Sequence, residues 1–193
     1  FNNALNKGRL AHAFLLTGIR GVGKTTTARI IAKALNCVGD GSKKDPSFEI
    51  CNSCSPCQSI NNGNFLDVIE VDAASRTGVD SIREIIDSVV YSPNNARYKV
   101  YIIDEVHMLS NAAFNALLKT LEEPPQNVKF IFATTEIKKI PATIISRCQK
   151  FDLQRVDLKT LSNHLKKICQ NENISFENGS ISHICKASEG SVR

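Results

Sequence analysis

Tryptophan is absent from the 193-residue sequence, methionine occurs once, and aromatic residues make up only 6% of it. Long apolar runs are also missing, because no stretch reaches the roughly 18 to 20 apolar residues that a membrane-spanning helix needs. The first residues lack the layout of a secretory signal peptide. We therefore expect a protein that works without a membrane span. With 42% hydrophobic residues and few aromatics, its core must be built mostly from aliphatic side chains.

The cysteines are odd in number and unevenly placed. There are seven, and three of them lie in the segment "CNSCSPCQ" at residues 51–58. A secreted disulfide scaffold is typically shorter and carries an even number of cysteines. The cluster therefore favours a metal site in a cytoplasmic protein. The net charge of +5 is compatible with nucleic-acid binding but does not indicate it.

Short apolar runs alternate with helical patterns over most of the chain. Five runs rich in Val, Ile, Leu and Phe are mostly unbroken, which is typical of strands covered on both faces. They span residues 13–18, 65–73, 99–105, 129–135 and 148–153. Helical patterns follow the first three runs, which predicts a five-stranded parallel α/β sheet flanked by helices.

After residue 153 only helical patterns remain. We therefore expect one domain over residues 1–153 and a small helical domain over residues 154–193. Because both ends of the chain are abrupt, we expect it to be part of a larger protein. The apolar faces of the two last helices are expected to be formed by Leu158, Leu161, Leu165, Ile168, Ile181, Ile184 and Cys185.

A glycine-rich segment follows the first predicted strand and opens a predicted helix. It fits G-x-x-x-x-G-K-[ST] at every defined position, in the context that identifies a phosphate-binding loop (P-loop). Its glycines let backbone N–H groups turn toward phosphate oxygens at the positive end of the helix. Lys24 can reach the β- and γ-phosphates, and the Thr25 hydroxyl can bind Mg²⁺. The predicted nucleotide site consists of Gly18, Ile19, Arg20, Gly21, Val22, Gly23, Lys24, Thr25 and Thr26.

Two acidic residues end the third predicted strand. Asp104 and Glu105 follow the apolar residues "VYII", and a strand that ends in a carboxylate beside the phosphates is the arrangement called Walker B. Asp104 is expected to hold Mg²⁺, directly or through water. Glu105 is expected to polarise the attacking water. The sequence therefore predicts ATP hydrolysis rather than ATP binding alone.

Two longer motifs indicate a family. The stretches "IIDEVHMLSNAAFNALLKTLEEPP" and "FATTEIKKIPATIISRCQKF" occur in this order, and with them the chain resembles the gamma/tau subunits of bacterial DNA polymerase III clamp loaders, which are AAA+ ATPases. The resemblance extends over essentially the whole chain and implies the AAA+ α/β domain followed by much of a helical lid. It places the chain in a DNA-directed DNA polymerase holoenzyme, although no motif is typical of polymerase catalysis.

The resemblance also implies how the protein works and what it binds. ATP binding would assemble a spiral of subunits that opens a ring-shaped sliding clamp, and hydrolysis would release the clamp around primed DNA during replication. The implied partners are the delta and delta-prime subunits, further gamma/tau copies, the clamp and the primed DNA. Because the family's oligomeric collar is not part of this sequence, we expect the chain by itself to be monomeric and weakly active.

Three residues take their expected roles from the resemblance. Thr135 stands where the family has sensor 1, and its hydroxyl would orient the attacking water or bond the γ-phosphate. Arg147, in "SRC", matches an arginine finger that reaches the ATP of the adjacent subunit, which suits its planar guanidinium. Arg193, in "GSVR", matches the sensor 2 arginine, which touches the γ-phosphate of its own subunit. Without the resemblance, a strand-end threonine and a surface ion pair would be the ordinary interpretations of Thr135 and Arg147.

Basic residues on helices are the expected DNA contacts. In the family the DNA lies inside the ring of subunits, and the matching positions here are Arg76, Arg83 and Lys119. Contacts to phosphate would carry no sequence preference. Each of these residues is otherwise interpreted as a solvated helix charge. Gly78 stands where the family often has a further lysine.

Four thiolates in a tetrahedral array form a closed structural Zn²⁺ site. Cys51, Cys54 and Cys57 can supply three of them from one tight turn. Cys37, at the end of the P-loop helix, is the natural fourth, and the family has a cysteine there as well. The intervening loop is longer than in the family, which a flexible loop tolerates at low cost. We expect a zinc module over about residues 37–57.

An iron–sulfur cluster and a redox pair are the alternatives to zinc for these cysteines. An iron–sulfur run would have a cysteine where Asn61 stands, and a redox pair lacks the thioredoxin-like context. Cys148, Cys169 and Cys185 are expected to be buried thiols outside the metal site. His107, without a second ligand at metal-binding spacing, is expected to be structural.

Two other functions fit part of the pattern. A branch-migration or other DNA-remodelling AAA+ ATPase would share the nucleotide site, although the cysteine cluster and the "SRC" motif argue against it. A non-hydrolysing clamp-loader scaffold, such as delta-prime, would have a degraded P-loop. Here Lys24, Thr25, Asp104 and Glu105 are all present.

Overall fold

The computed structural model describes residues 10–41, 45–75 and 79–193, and for 79–81 it describes the backbone alone. The strands are β1 (Ala13–Thr17), β2 (Val68–Asp72), β3 (Lys99–Asp104), β4 (Val128–Thr134) and β5 (Gln149–Asp152). The α-helices are α1 (Lys24–Asn36), α2 (Ser55–Asn61), α3 (Val79–Val89), α4 (Asn111–Glu122), α5 (Ala142–Ile145), α6 (Leu158–Asn171) and α7 (Asn178–Ala187). Two 3₁₀ turns, Val106–Met108 and Ile137–Lys139, follow β3 and β4.

All five strands run parallel in one sheet, in the order β2-β3-β4-β1-β5. The predicted five-stranded parallel α/β sheet is thereby confirmed. Thr17 lies opposite Thr134, and Asp72 lies opposite Asp104. The carboxyl ends of the strands therefore meet at one edge, which is where open parallel sheets bind ligands.

The sheet is buried on both faces, which explains why its strands are unbroken apolar runs. On the face covered by α3 and α4, the rings of Tyr101 and Phe130 stack with centroids 5.4 Å apart. Phe132 continues this stack, with its ring centroid 5.9 Å from that of Phe130. The other face packs against α1 and buries Phe14. Phe14, Tyr101, Phe130 and Phe132 are thus buried on the three central strands of the sheet.

The segment between α3 and β3 is held by a buried carboxylate. Asp67, only 1% exposed, accepts hydrogen bonds from the backbone N–H groups of Asn94, Asn95 and Ala96 at 2.9 to 3.0 Å. Buried polar groups are costly unless paired, and these three donors pair it. β2 begins only at Val68, three residues later than the sequence predicts, because the chain first makes a turn in which the Val68 N–H donates to the carbonyl oxygen of Phe65 at 3.0 Å.

The last two helices form a separate small cluster. Leu161, Ile181 and Cys185 are buried together, with Leu165 and Cys169 partly buried against them. Leu158, Ile168 and Ile184, which belong to the predicted apolar faces, are 52%, 42% and 55% exposed. The two helices α6 and α7 pack on one another. The domain boundary between residues 153 and 154 stays a prediction.

Candidate functional site

A cavity of about 1160 Å³ opens at the carboxyl edge of the sheet. Its wall contains every predicted loop residue from Ile19 to Thr26. It also contains Asp104, Glu105, Thr135 and Arg193. The structure therefore brings together nearly all residues for which a nucleotide-binding or hydrolytic role was predicted.

The loop between β1 and α1 depends on its glycines. A Cβ on Gly18 would lie 2.6 Å from the carbonyl oxygen of Leu153, so a side chain does not fit there. Gly23, directly before α1, has φ +90°, a left-handed conformation that glycine adopts without strain. The loop therefore closes tightly against the end of β5 and turns its backbone toward the cavity.

Lys24 is the first residue of α1 and is only 6% exposed. Its Nζ donates to the carbonyl oxygens of Gly18 and Ile19, both at 3.1 Å, and lies 4.0 Å from Glu105 Oε1. Burial lowers the pKa of Lys24, while the negative charges of Glu105 and Asp104 act in the opposite direction. The ammonium group is thus fixed at the mouth of the phosphate loop.

Asp104 and Thr25 supply two oxygens that are hydrogen-bonded to each other in the cavity wall. The Thr25 hydroxyl donates to Asp104 Oδ2 at 2.5 Å. The other carboxylate oxygen, Oδ1, accepts the backbone N–H of Glu105 at 2.9 Å. A hydroxyl and a carboxylate are oxygen donors of the kind that Mg²⁺ prefers, so this pair fits the predicted magnesium site.

Glu105 follows β3 in a left-handed backbone conformation, with φ 45°. This conformation costs a residue with a side chain about 1–2 kcal/mol. It directs the carboxylate toward Thr135, whose backbone N–H and hydroxyl donate to Oε2 at 3.1 and 3.0 Å. β3 and β4 are neighbours in the sheet, and this adjacency places the predicted sensor beside the predicted base.

Sequence reasoning missed a contact of His107. Its Nδ1 lies 3.3 Å from Glu105 Oε2 and 2.9 Å from Thr134 Oγ1, while Nε2 lies 3.5 Å from Glu136 Oε1. The expectation that His107 is structural did not include a contact with the acidic pair. The signal that could have found it is its position two residues after Glu105, on the turn that leaves the strand.

The chain end approaches the phosphate loop. The backbone N–H of Val192 donates to the carbonyl oxygen of Gly21 at 2.9 Å, and Ser191 lies against the same glycine. A Cβ on Gly21 would lie 2.9 Å from Cβ of Arg193. The helical part of the chain is thereby joined to the loop, with Arg193 in the wall of the cavity.

Arg147 is placed elsewhere. It follows α5, and its guanidinium donates to Glu122 Oε1 at 2.6 Å and to the carbonyl oxygen of Thr143 at 2.7 Å. It is not among the residues that form the wall of the cavity in the described part of this chain. A contact of Arg147 with the nucleotide of its own chain therefore finds no support in this arrangement.

The predicted DNA contacts are only partly described. Arg83 and Lys119 are exposed on α3 and α4, which pack side by side. Arg76 and Gly78 lie outside the described residues. Arg83 and Lys119 thus lie on two neighbouring helices that cover the same face of the sheet.

The four predicted metal ligands converge. The sulfurs of Cys37, Cys51, Cys54 and Cys57 all lie within 4.8 Å of one another, and those of Cys37 and Cys51 are 3.6 Å apart. A tetrahedral Zn²⁺ with Zn–S bonds of about 2.3 Å separates its sulfurs by about 3.8 Å. The residues therefore fit a closed four-thiolate site.

Hydrogen bonding and burial shift the pKa values of two of these cysteines in opposite directions. The N–H of Cys54 donates to the sulfur of Cys51 at 3.3 Å and, with smaller contributions from Ser53, lowers the pKa of Cys51 to about 5. Burial raises the pKa of Cys57 above its ordinary value. Metal binding requires deprotonated thiols, so an ion held by these four sulfurs would also stabilise the thiolate of the buried Cys57.

The cysteine module rests on the P-loop helix. Lys33, in the last turn of α1, donates to the side-chain oxygens of Asn52 and Asn61 at 3.1 and 2.9 Å. Asn61 is thus engaged by Lys33, and the fourth member of the cluster is Cys37. Outside the cluster, Cys185 is buried, as predicted, while Cys148 and Cys169 are half-buried.

Comparisons of the sequence agree with one another. The model of a family described as "DNA polymerase III, delta subunit" matches residues 1–157. A second, "DNA polymerase III clamp loader subunit, ATPase lid domain", matches residues 160–193. The tau/gamma subunit of Haemophilus influenzae DNA polymerase III is 53% identical over 99% of this chain and 27% of its own length. The tau subunit of Bacillus subtilis is 52% identical over 99% of this chain and 33% of its own length.

A third curated relative is the gamma subunit of a Buchnera aphidicola strain, of which this chain covers 52%. The chain therefore spans between 27% and 52% of the length of these three relatives.

Two solved structures from Thermotoga maritima share the fold at 21% identity. The RuvB Holliday junction branch migration motor has a TM-score of 0.64 and covers 99% of this chain and 54% of its own. A DNA polymerase III gamma subunit-related protein has a TM-score of 0.54, covering 80% of this chain and 45% of its own. These likenesses confirm the AAA+ fold.

Proposed function

The chain belongs to the DNA polymerase III tau/gamma family of clamp-loader subunits, and from that premise we propose that it is an ATP-hydrolysing motor subunit. It would load a sliding clamp onto primed DNA during replication, in the cytoplasm. The observation that carries the proposal is the convergence of Lys24, Thr25, Asp104, Glu105 and Thr135 on one cavity. A scaffold subunit has no need of such a set.

Each of these residues has a chemical task in hydrolysis. The phosphate loop and Lys24 would bind the triphosphate. Thr25 and Asp104 would hold Mg²⁺, which neutralises charge on the phosphates when bound. Glu105 would polarise the attacking water while Thr135 orients the carboxylate or the γ-phosphate. Arg193 would contact the γ-phosphate from the lid, whose end already lies on Gly21.

The partners follow from the family. We propose assembly with delta, delta-prime and further gamma/tau copies, and contact with the clamp and with primed DNA. Arg83 and Lys119, and Arg76 from the undescribed segment, would contact DNA phosphates. The exposure of Arg83 and Lys119 on adjacent helices supports this role. The likeness to the RuvB motor concerns the fold, and a branch-migration activity is therefore the alternative that the following experiment tests.

The experiment compares ATP turnover of the full-length protein alone with turnover in the presence of partner subunits, clamp and primed DNA. We expect turnover to rise only when clamp and primed DNA are present together. Stimulation by branched DNA without a clamp would indicate the remodelling alternative. The absence of any stimulation would contradict a motor role.

Replacing Lys24 by alanine gives this experiment its binding control. Loss of a charge-assisted contact of about 2–3 kcal/mol is expected to weaken ATP binding about 30- to 140-fold. Titration with a fluorescent ATP analogue measures the affinity. The matched variant Lys167→Ala removes an exposed lysine of α6 and should leave affinity unchanged. Unaltered binding by Lys24→Ala would show that the cavity is not the nucleotide site.

We also propose that the cysteine cluster holds one structural Zn²⁺. Four thiolates leave no open position for a substrate, and the module lies on α1 rather than in the cavity. Its ion would therefore stabilise the fold and shape a surface for partner contact. Zinc is favoured over an iron–sulfur cluster because the iron–sulfur run would need its fourth cysteine at residue 61, where Asn61 stands. The fourth sulfur of this cluster comes from Cys37 instead.

The Cys57→Ser variant tests the zinc proposal. It is expected to lose the bound ion and about 3 kcal/mol of stability, which lowers Tm by about 6–12 °C for a chain of this size. Metal analysis and thermal unfolding are the measurements. Cys169→Ser, which changes a cysteine outside the cluster, is the control and should retain one zinc per chain. Iron with visible absorption, or equal zinc in both variants, would overturn the assignment.

A further inference from the structure

The two carboxylate oxygens of Glu105 face different groups. Oε2 accepts both donors of Thr135, and Nδ1 of His107 lies 3.3 Å from this same oxygen. Oε1 instead lies 4.0 Å from Nζ of Lys24, on the side of the phosphate loop. One oxygen is therefore anchored to the protein, and the other is turned toward the phosphates that Lys24 would bind.

The ring of His107 is itself fixed by the sheet. Its side chain is only 6% exposed, and Nδ1 lies 2.9 Å from the hydroxyl of Thr134, a fully buried residue of β4. That hydroxyl also accepts the backbone N–H of Glu136 at 3.0 Å. A rotation of the imidazole would break these contacts in a buried setting, where lost hydrogen bonds are costly. His107 therefore offers Glu105 a rigid neighbour.

We propose that His107 is a positioning residue for hydrolysis: through Nδ1 it fixes Oε2 of Glu105, so that Oε1 is the oxygen that polarises the attacking water. The proposal rests on the proposed ATPase function and deepens it by assigning the two oxygens different tasks. Thr135 holds Oε2 through its N–H and its hydroxyl, and a proton on Nδ1 of His107 gives the same oxygen a third contact, from a second residue. A displacement of about 1 Å at a reacting group can cost about 100-fold in rate.

Two amide substitutions separate the two ring nitrogens. The shorter amide of His107→Asn reaches the position of Nδ1, and the longer amide of His107→Gln reaches that of Nε2. Either amide can donate or accept, so the comparison does not depend on the tautomer of the ring. We expect His107→Asn to keep kcat within about threefold of the unaltered protein and His107→Gln to lower kcat by about 30- to 100-fold. KM for ATP should stay unchanged in both.

The rates are measured with the full-length protein assembled with partner subunits, clamp and primed DNA. Glu136→Gln is the matched control, since it alters the group facing Nε2, together with an exposed ion pair to Lys139, and Glu136 lies outside the cavity wall. It should leave kcat within about twofold, because positioning is assigned to Nδ1. Equal losses in His107→Asn and His107→Gln, or a large loss in Glu136→Gln, would refute the assignment.

A further variant, and the turnover of the unaltered assembly, show which of the two proposals has failed. If His107→Gln does not fold, Thr134→Val carries the test, because it removes the hydroxyl that fixes Nδ1, and the same loss of kcat is expected. If the unaltered assembly shows no clamp- and DNA-dependent turnover, the proposed function fails. If it shows such turnover and His107→Gln matches it, only the role of His107 fails.

Discussion

Replacing Arg147 by alanine is expected to lower ATP turnover of the assembled protein by about 1,000-fold or more while leaving its affinity for ATP nearly unchanged. An arginine finger supplied by a neighbour contributes about 10³ to 10⁵ in rate, because its planar guanidinium neutralises charge that spreads over the transferring phosphoryl group. In this structure Arg147 is held outside the cavity by Glu122 and by the carbonyl oxygen of Thr143. These contacts keep it out of its own chain's cavity, and its role at another chain's nucleotide stays a prediction.

Mixed assemblies test whether the finger acts between chains. A Lys24→Ala chain keeps Arg147, and an Arg147→Ala chain keeps an intact phosphate loop. In a mixture of the two, some interfaces therefore place an intact Arg147 beside an intact nucleotide site. Partial recovery of turnover in the mixture is expected, although each variant alone is inactive. Arg155→Ala, which removes an exposed arginine paired with Glu189, serves as the control and should retain turnover. A collapse of ATP binding in Arg147→Ala, or no recovery on mixing, would contradict a role of Arg147 between chains.

Local pattern was sufficient to predict the elements that carry the nucleotide site. Strands covered on both faces are apolar at every position, so β1, β3 and β4 stand out as unbroken runs. The phosphate loop is contiguous in sequence, and its spacing alone places Lys24 at the start of a helix. Asp104 and Glu105 were found because a carboxylate after an apolar strand is a local signal.

The order of the strands was not predictable in the same way. β4 lies beside β3, and this adjacency brings Thr135 to Glu105, 30 residues earlier in the chain. The family resemblance assigned Thr135 a role, but nothing in the sequence showed that it donates to that carboxylate. Long-range contacts of this kind depend on strand neighbours, which periodicity does not encode.

The contacts of two polar side chains were not predicted, for the same reason. Asp67 interrupts an apolar run and looks like part of a strand, whereas it anchors residues 94–96 across the loop. His107 has no second ligand at metal-binding spacing, and its partners, Thr134 and Glu136, come from a different strand and its following turn. α2 was also missed, because a seven-residue helix that includes Cys57 is too short to show a period.

Replacing Glu105 by glutamine should separate ATP binding from hydrolysis. The amide has nearly the shape of the carboxylate, and its oxygen can still accept the N–H and hydroxyl of Thr135. Binding should therefore stay within about threefold of the unaltered protein, while turnover falls by about 10²- to 10⁴-fold, the usual contribution of a general base. Lys24→Ala, in contrast, should weaken binding itself.

Measuring bound nucleotide after rapid filtration distinguishes the two variants: the Glu105→Gln assembly should retain intact ATP and remain on the clamp, because release is expected to need hydrolysis. Glu123→Gln removes an exposed carboxylate after α4 and is the control, with turnover unchanged. If Glu105→Gln instead bound ATP as poorly as Lys24→Ala, the carboxylate would be serving mainly to orient the lysine 4.0 Å away. Retained ATP with lost turnover would place Glu105 at the water.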